Sequence, residues 1–175
     1  MDNLRQYAVE SKFADPALPQ AELDALVRSV LEVLEQLSSA KDEFSAYGAG
    51  AWIDILAKAA PRSQVAIERL VTALDDNRAF NLGSSPYDSY PQTVADRAQS
   101  ALYPTELRAR ALPLLVSSLD RLSAAGRVNA TRVLGWYAFS EQSAIVALER
   151  LASDPDERVR QAAGIELEFD AQRER

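Results

Sequence analysis

The chain of 175 residues contains neither cysteine nor histidine. These two absences exclude a disulfide, a thiolate nucleophile, a Ser-His or Cys-His dyad and zinc sites of the usual Cys/His kinds. No stretch approaches the roughly 18 apolar residues that cross a bilayer. The first twenty residues hold no apolar run behind a basic stretch, so no secretory signal and no membrane partner are expected. With no cysteine to indicate an oxidising compartment, the cytoplasm is the expected location. Nothing in the chain calls for a cofactor. Asp154, Asp156 and Glu157, like Asp75 and Asp76, could be taken for hard-cation ligands, but neither group has EF-hand spacing and both read better as helix caps.

What is present is ordinary globular material, 47% hydrophobic and 26% charged, which is enough apolar residue to build a core and too much for a disordered chain. The length suits one compact domain. Net charge is -7, with most of the excess acid in residues 1–60. A protein that tracks phosphates gains affinity by releasing counterions from a basic stripe, so an acidic chain is not expected to bind nucleic acid. Acidity serves solubility first and a basic protein partner second.

Periodicity predicts helices. Leu23, Leu26, Val27, Val30, Leu31, Leu34 and Leu37 form an i, i+3, i+4, i+7 stripe, with Pro19 at the first turn and Ser38 and Ser39 closing the segment. A second stripe covers residues 44–59, where Gly48 and Gly50 weaken the beginning and shift the expected start to Ala49. A third begins after Ser63, a suitable N-cap, and ends near Asp75 and Asp76. Residues 77–92, rich in Gly, Pro, Ser and Asn, read as a long loop. Further helices are expected at about 92–102, 104–122, 127–139, 141–152 and 156–168, making about eight in all, with no strand.

The chain also repeats itself. Val65-Ala66-Ile67-Glu68-Arg69-Leu70 is matched by Val146-Ala147-Leu148-Glu149-Arg150-Leu151, and downstream Val94, Ala98 and Leu102 are matched by Val159, Ala163 and Leu167. The change of offset between the two matches places an insertion in the first copy, at the 77–92 loop. In the second copy Asp154 is expected to cap the next helix, with Pro155 at its first position and Glu157 three residues after the cap. Ala162 and Ala163 let that helix lie close to its neighbour, and Arg160 is placed to reach an acid or a carbonyl of an adjoining turn. Leu148, Leu151, Asp154, Pro155, Val159, Arg160, Ala162 and Ala163 resemble the HEAT repeat, in its form with an Asp-Pro-Asp turn. The resemblance is specific over residues 141–168, fair over 63–102 without the loop and weak over 104–139. There Pro113 interrupts the pattern and Arg132 stands where alanine is wanted. It implies an all-α, short right-handed α-solenoid of HEAT-like helix pairs, with residues 1–62 as an N-terminal helical cap and 63–175 as the repeats.

Candidate binding residues follow from position and chemistry. Phe80, Tyr87 and Tyr90 bring aromatic surface to the long loop. Trp136 and Tyr137 are of the types that carry interface energy, although core packing competes for both and only one of two neighbours can face the core. Arg97, Arg108, Arg110, Arg127 and Arg132 either line one surface that grips carboxylates or phosphates or engage in internal ion pairs. No catalytic pair and no metal site is identified. The expected function is a non-catalytic module binding a protein partner of basic character, an immunity or inhibitor protein being one concrete form. The alternatives are an enzyme-associated subunit, since HEAT-like repeats of this form resemble those of phycobilin lyases, and a helical protein that binds a small ligand.

Overall fold

The computed structural model describes residues 2–80 and 91–173. Nine helices account for most of them: α1 (Asp2–Phe13), α2 (Gln20–Ser38), α3 (Glu43–Ala59), α4 (Gln64–Ala73), α5 (Val94–Leu102), α6 (Thr105–Ser118), α7 (Ala124–Ala138), α8 (Gln142–Leu151) and α9 (Glu157–Arg173). The described residues are all-α apart from one ladder of two residues per strand. None of the described helices is long and apolar enough to cross a membrane.

Local chemistry sets most boundaries. Ser63 accepts the Ala66 amide and opens α4, and Ser123 accepts the Gly126 amide and opens α7. Thr93 and Asp96 make a reciprocal capping box at α5. Four expectations are corrected. Helix α3 starts at Glu43 and not at Ala49, because the Asp42 carboxylate accepts the Ser45 amide and its cap outweighs the two glycines. Helix α6 runs straight through Pro113, whose ring lies on the exposed side, and stops at Ser118, short of 122. Asp156, and not Asp154, sits immediately before α9 and accepts the Arg158 amide, so Pro155 stands outside the helix while Asp154 accepts the Asp156 amide. The expectation of no strand gives way to a short antiparallel pair at the two ends of the expected 77–92 loop, β1 (Ala79–Phe80) with β2 (Gln92–Thr93). Helix α1 carries too few apolar positions for its period to be read, yet it buries Phe13 and half-buries Val9.

The helices lie in two rows. In one, each of α1, α3, α5, α7 and α9 packs against the next; in the other α2, α4, α6 and α8 follow one another. Cross-row neighbours α2/α3, α4/α5, α6/α7 and α8/α9 close the layer between them. One apolar cluster, from Phe13 to Ala163, fills that layer, with Ile53, Leu56, Ile67, Leu70, Leu102, Leu115, Leu134 and Leu148 fully enclosed. Each such side chain contributes roughly 1.5–3 kcal/mol by leaving water. The two copies of the repeated hexapeptide point alike: Val65 and Val146 face outward while Ala66, Ile67, Leu70 and Ala147, Leu148, Leu151 face the core.

Two glycines mark close approaches of opposite consequence. A Cβ on Gly126 would stand 2.0 Å from Asp75 Oδ1 and 3.2 Å from Leu122 Cβ. Asp75 is engaged by the Ser123 amide at 3.0 Å and by its hydroxyl at 2.6 Å, so it yields only by abandoning both. A Cβ on Gly135 would also stand 2.0 Å from a carboxylate oxygen, that of Glu166. Glu166 is a long side chain on partly exposed α9, and the atoms in the way are its flexible far end. Gly126→Ala is therefore expected to lower stability by about 2 kcal/mol through the lost hydrogen bonds. Gly135→Ala costs less than about 1 kcal/mol, since the alanine's better helix propensity offsets part of the displacement. Urea unfolding of the two variants side by side checks the contrast.

Candidate functional site

Along the odd-numbered row, neighbouring helices are joined by opposite charges. Lys58 of α3 meets Glu10 of α1, Arg97 of α5 meets Asp54 of α3 at 2.9 Å, and Arg132 of α7 reaches Asp96 of α5 at 3.8 Å. Each pair is partly exposed and contributes at most about 1 kcal/mol. Burial pushes the Asp54 carboxyl up, against the opposing pull of Arg97. Arg97 also lies over the Phe80 ring, 5.9 Å from its centre.

Phe80 is itself only 2% exposed. Its ring meets Tyr47 edge-on at 5.8 Å and closes over Gly50, where a Cβ would come within 2.8 Å of Cζ. The expectation that Phe80 presents aromatic surface to a partner is corrected: the glycine opens a slot in α3 and the ring fills it. Arg78 holds the same segment down, donating to the Leu37 and Ala40 carbonyls at 2.6 and 2.7 Å and pairing with Asp76. Tyr87 and Tyr90 lie outside the described residues.

Trp136 and Tyr137 part company at the end of α7. Tyr137 is completely buried, its hydroxyl donates to the Leu102 carbonyl, and the Arg108 guanidinium lies over its ring. Burial drives its hydroxyl far above the usual tyrosine range. The side chain therefore belongs to the core and offers no surface to a partner. Trp136 faces the other way, 45% exposed, and its indole N–H donates to the Tyr103 carbonyl at 2.9 Å. Its ring centre lies 5.7 Å from that of Tyr103 and 5.5 Å from that of Phe139, which is 51% exposed. Three rings thus make one aromatic surface spanning the ends of α5 and α7. Burial raises the Tyr103 hydroxyl, with Arg132 opposing and Glu166 and Asp96 adding to the rise, so charged groups of both signs surround the rings.

Of this cluster only Trp136 was among the residues picked from sequence. Phe139 stands one helical turn on, at i+3, and could have been found by that spacing; Tyr103 is 33 positions away and could not. The arginines do not converge on a shared anion site. Arg97 and Arg132 are held by Asp54 and Asp96. Arg108 donates to the Ser140 hydroxyl, Arg110 to the Pro61 carbonyl at 2.7 Å, and Arg127 to Asp154 at 2.7 and 3.0 Å. Among the described residues no group of three or more acidic side chains is placed to hold a metal ion.

Comparison with protein-family models, with curated proteins and with solved structures finds no match to this chain.

Proposed function

We propose that the chain is a non-catalytic protein-binding module of the cytoplasm, a short right-handed solenoid of HEAT-like helix pairs behind an N-terminal cap. It engages a protein partner through the Tyr103, Trp136 and Phe139 surface. The solenoid reading is supported by the two rows, in which each helix packs against the second one along the chain, and by the matching faces of α4 and α8. Repeats of this kind bury their apolar faces on their neighbours and leave extended outer surfaces for recognition.

The binding reading rests on one observation, the half-exposed aromatic cluster. Large rings held in place by a hydrogen bond and by each other lose little freedom on binding and bury much area, which is why Trp and Tyr dominate interface energies. The paired arginines and acids around the rings give a polar rim. A basic partner is the better electrostatic match for a chain of net charge -7, as an inhibitor or immunity protein would have.

The double variant Trp136→Ser, Phe139→Ser tests this. The immobilised native chain is expected to retain a specific protein from an extract of its source cells. The variant, with an unchanged far-ultraviolet circular dichroism spectrum, is expected to lose it by about 30-fold or more, the effect of about 2 kcal/mol at a hot spot. Equal recovery by both chains would remove the cluster from the interface.

A further inference from the structure

The outer side of the odd-numbered row carries more apolar surface than the three rings. On α9 the Ile165 and Phe169 side chains, one turn apart, are half-exposed and lie on another side of the helix from Val159 and Ala163, which face the core. Two contacts fix how α9 stands against α7. Asp154, just before α9, holds Arg127 near the start of α7, and further along Glu166 lies over Gly135, so the two helices run in the same direction. Gln99 with Asn129, and then Tyr103 with Trp136, show the same of α5 and α7. Trp136 follows Gly135 and Ile165 precedes Glu166, while Phe139 and Phe169 each come about one turn further on, at one level. Tyr103, Trp136, Phe139, Ile165 and Phe169 therefore border one surface across the C-terminal ends of three parallel helices.

The charges beside this surface are unequal. Arg132 is held by Asp96, and Arg158, at the N-terminal end of α9, by Asp156. Arg160 donates to the Asp154 and Pro155 carbonyls at that same far end. Arg108 has no acidic partner, but it donates to the Ser140 hydroxyl and lies over the ring of the buried Tyr137. Against it stand Glu106, Glu141 and Glu168, to which none of the described residues gives a hydrogen bond or an ion pair. Residues 161–173 hold three acidic residues, Glu166, Glu168 and Asp170, and one basic residue, Arg173. The C-terminal ends of α5, α7 and α9 add the negative poles of their dipoles, about half a charge at each. The local excess is acidic, as it is over the whole chain of net charge -7.

We infer that this surface receives a basic amphipathic helix of a partner protein, with its apolar side chains on Trp136, Phe139, Ile165 and Phe169 and its lysines or arginines towards Glu168 and the helix ends. The inference rests on the reading of the ring cluster as an interface, and adds its extension over α9 and the kind of segment it takes. Packed helices stand about 8–10 Å apart, so from α5 to α9 the surface spans about 16–20 Å, the length of about three helical turns. A helix satisfies its own backbone, whereas an extended segment needs a sheet edge, and the short β1/β2 pair stands immediately before α5, at its opposite end. A second copy of this acidic chain, an anionic membrane and a nucleic acid all bring charge of the wrong sign.

Three capped peptides of about 14 residues test this. The first has leucines along one helical face and lysines elsewhere, the second the same leucines with glutamates, and the third the composition of the first with its leucines scattered round the helix. Each is titrated into the isotopically labelled full chain. The first is expected to move the Trp136 indole N–H and the Ile165 and Phe169 amide signals, and to bind at least about tenfold more tightly than either of the others. Ile165→Ser with Phe169→Ser is expected to weaken it by about tenfold, and Glu168→Lys by about threefold, at exposed positions and with the melting temperature unchanged. The inference is overturned if the glutamate peptide or the scattered peptide binds as well as the first, or if the α9 variants bind it like the native chain. It is overturned equally if these signals respond instead to phosphatidylserine vesicles, or broaden with protein concentration alone. Should the α9 variants bind normally while Trp136→Ser with Phe139→Ser abolishes binding, the ring cluster keeps its role and only the extension over α9 falls; normal binding by both sets removes both.

Discussion

Asn129→Ala is expected to lower the stability of the protein by about 3 kcal/mol. Asn129 is 8% exposed in the middle of α7, yet its amide donates to the Leu74 carbonyl at 2.9 Å and to Asn77 Oδ1 at 3.0 Å. Its oxygen accepts from the Gln99 side chain at 3.2 Å, and Gln99 is buried too. One side chain thus ties the end of α4, the following turn and α5 to α7. Truncation leaves the Leu74 carbonyl and the Gln99 amide inside without partners, and each abandoned buried group costs about 1–3 kcal/mol. In a chain of this size that loss lowers the melting temperature by roughly 6–12 °C. Gln99→Ala on top of Asn129→Ala should cost much less than on the wild type, because the stranded amide goes with it. Additive losses in that double-variant comparison would show that the network is not a unit.

Asp154→Ala is expected to have a comparable effect at the other end of the fold. Asp154 takes two guanidinium N–H bonds from Arg127 and the Asp156 amide, and Arg127 also donates to the Leu122 carbonyl at 2.8 Å. The paired side chains are only 18% and 8% exposed. Removing the acid leaves a largely enclosed guanidinium uncompensated, which costs about 3 kcal/mol, whereas exchanging both partners, Asp154→Leu with Arg127→Met, recovers most of the loss. Burial alone would push the Asp154 carboxyl up, but the Arg127 hydrogen bonds and the Asp156 amide outweigh it and hold the group below the usual aspartate range. Asp156, bonded by Arg158, is lowered further, to about 2. A carboxyl depressed in the folded state binds its proton more readily when unfolded. It therefore adds stability above the unfolded value of 3.8, and that stability drains away as pH falls towards 2. Urea midpoints measured from pH 5 to pH 2 should fall steeply for the wild type and less steeply for Asp154→Ala. Parallel curves would show that the pair contributes nothing through its charge.

Both predictions concern residues that periodicity does not single out. Asn129 is a polar residue in a helix of low amphipathicity, and its partners lie 30 to 55 positions away. Asp154 was read as a helix cap because aspartate before proline at a helix start has that local meaning; Arg127, at a distance of 27 residues, gives it another. The same limit applied to the surface. The adjacency of Trp136 and Tyr137 told that one must face out, but only the position of the Leu102 carbonyl and the core around it selects Tyr137 for the inside. Phe80 looked like spare aromatic surface because nothing near it in the chain needs it, and it is buried by Gly50, thirty positions earlier.

The chain by itself determined the helical class, the cap at Ser63, the buried stripe of α2 and the exclusion of histidine and cysteine chemistry. Those properties depend on side chains within about one turn of each other, where spacing and hydrogen-bonding capacity are visible directly. Only the tertiary structure decided that α1 docks, that β1 and β2 pair, and that Tyr103 and Phe139 join Trp136. Each of these depends on which surfaces separated by tens of residues come into contact, and that is settled by the close packing of whole helices, in which a single glycine, alanine or proline sets the distance between neighbours.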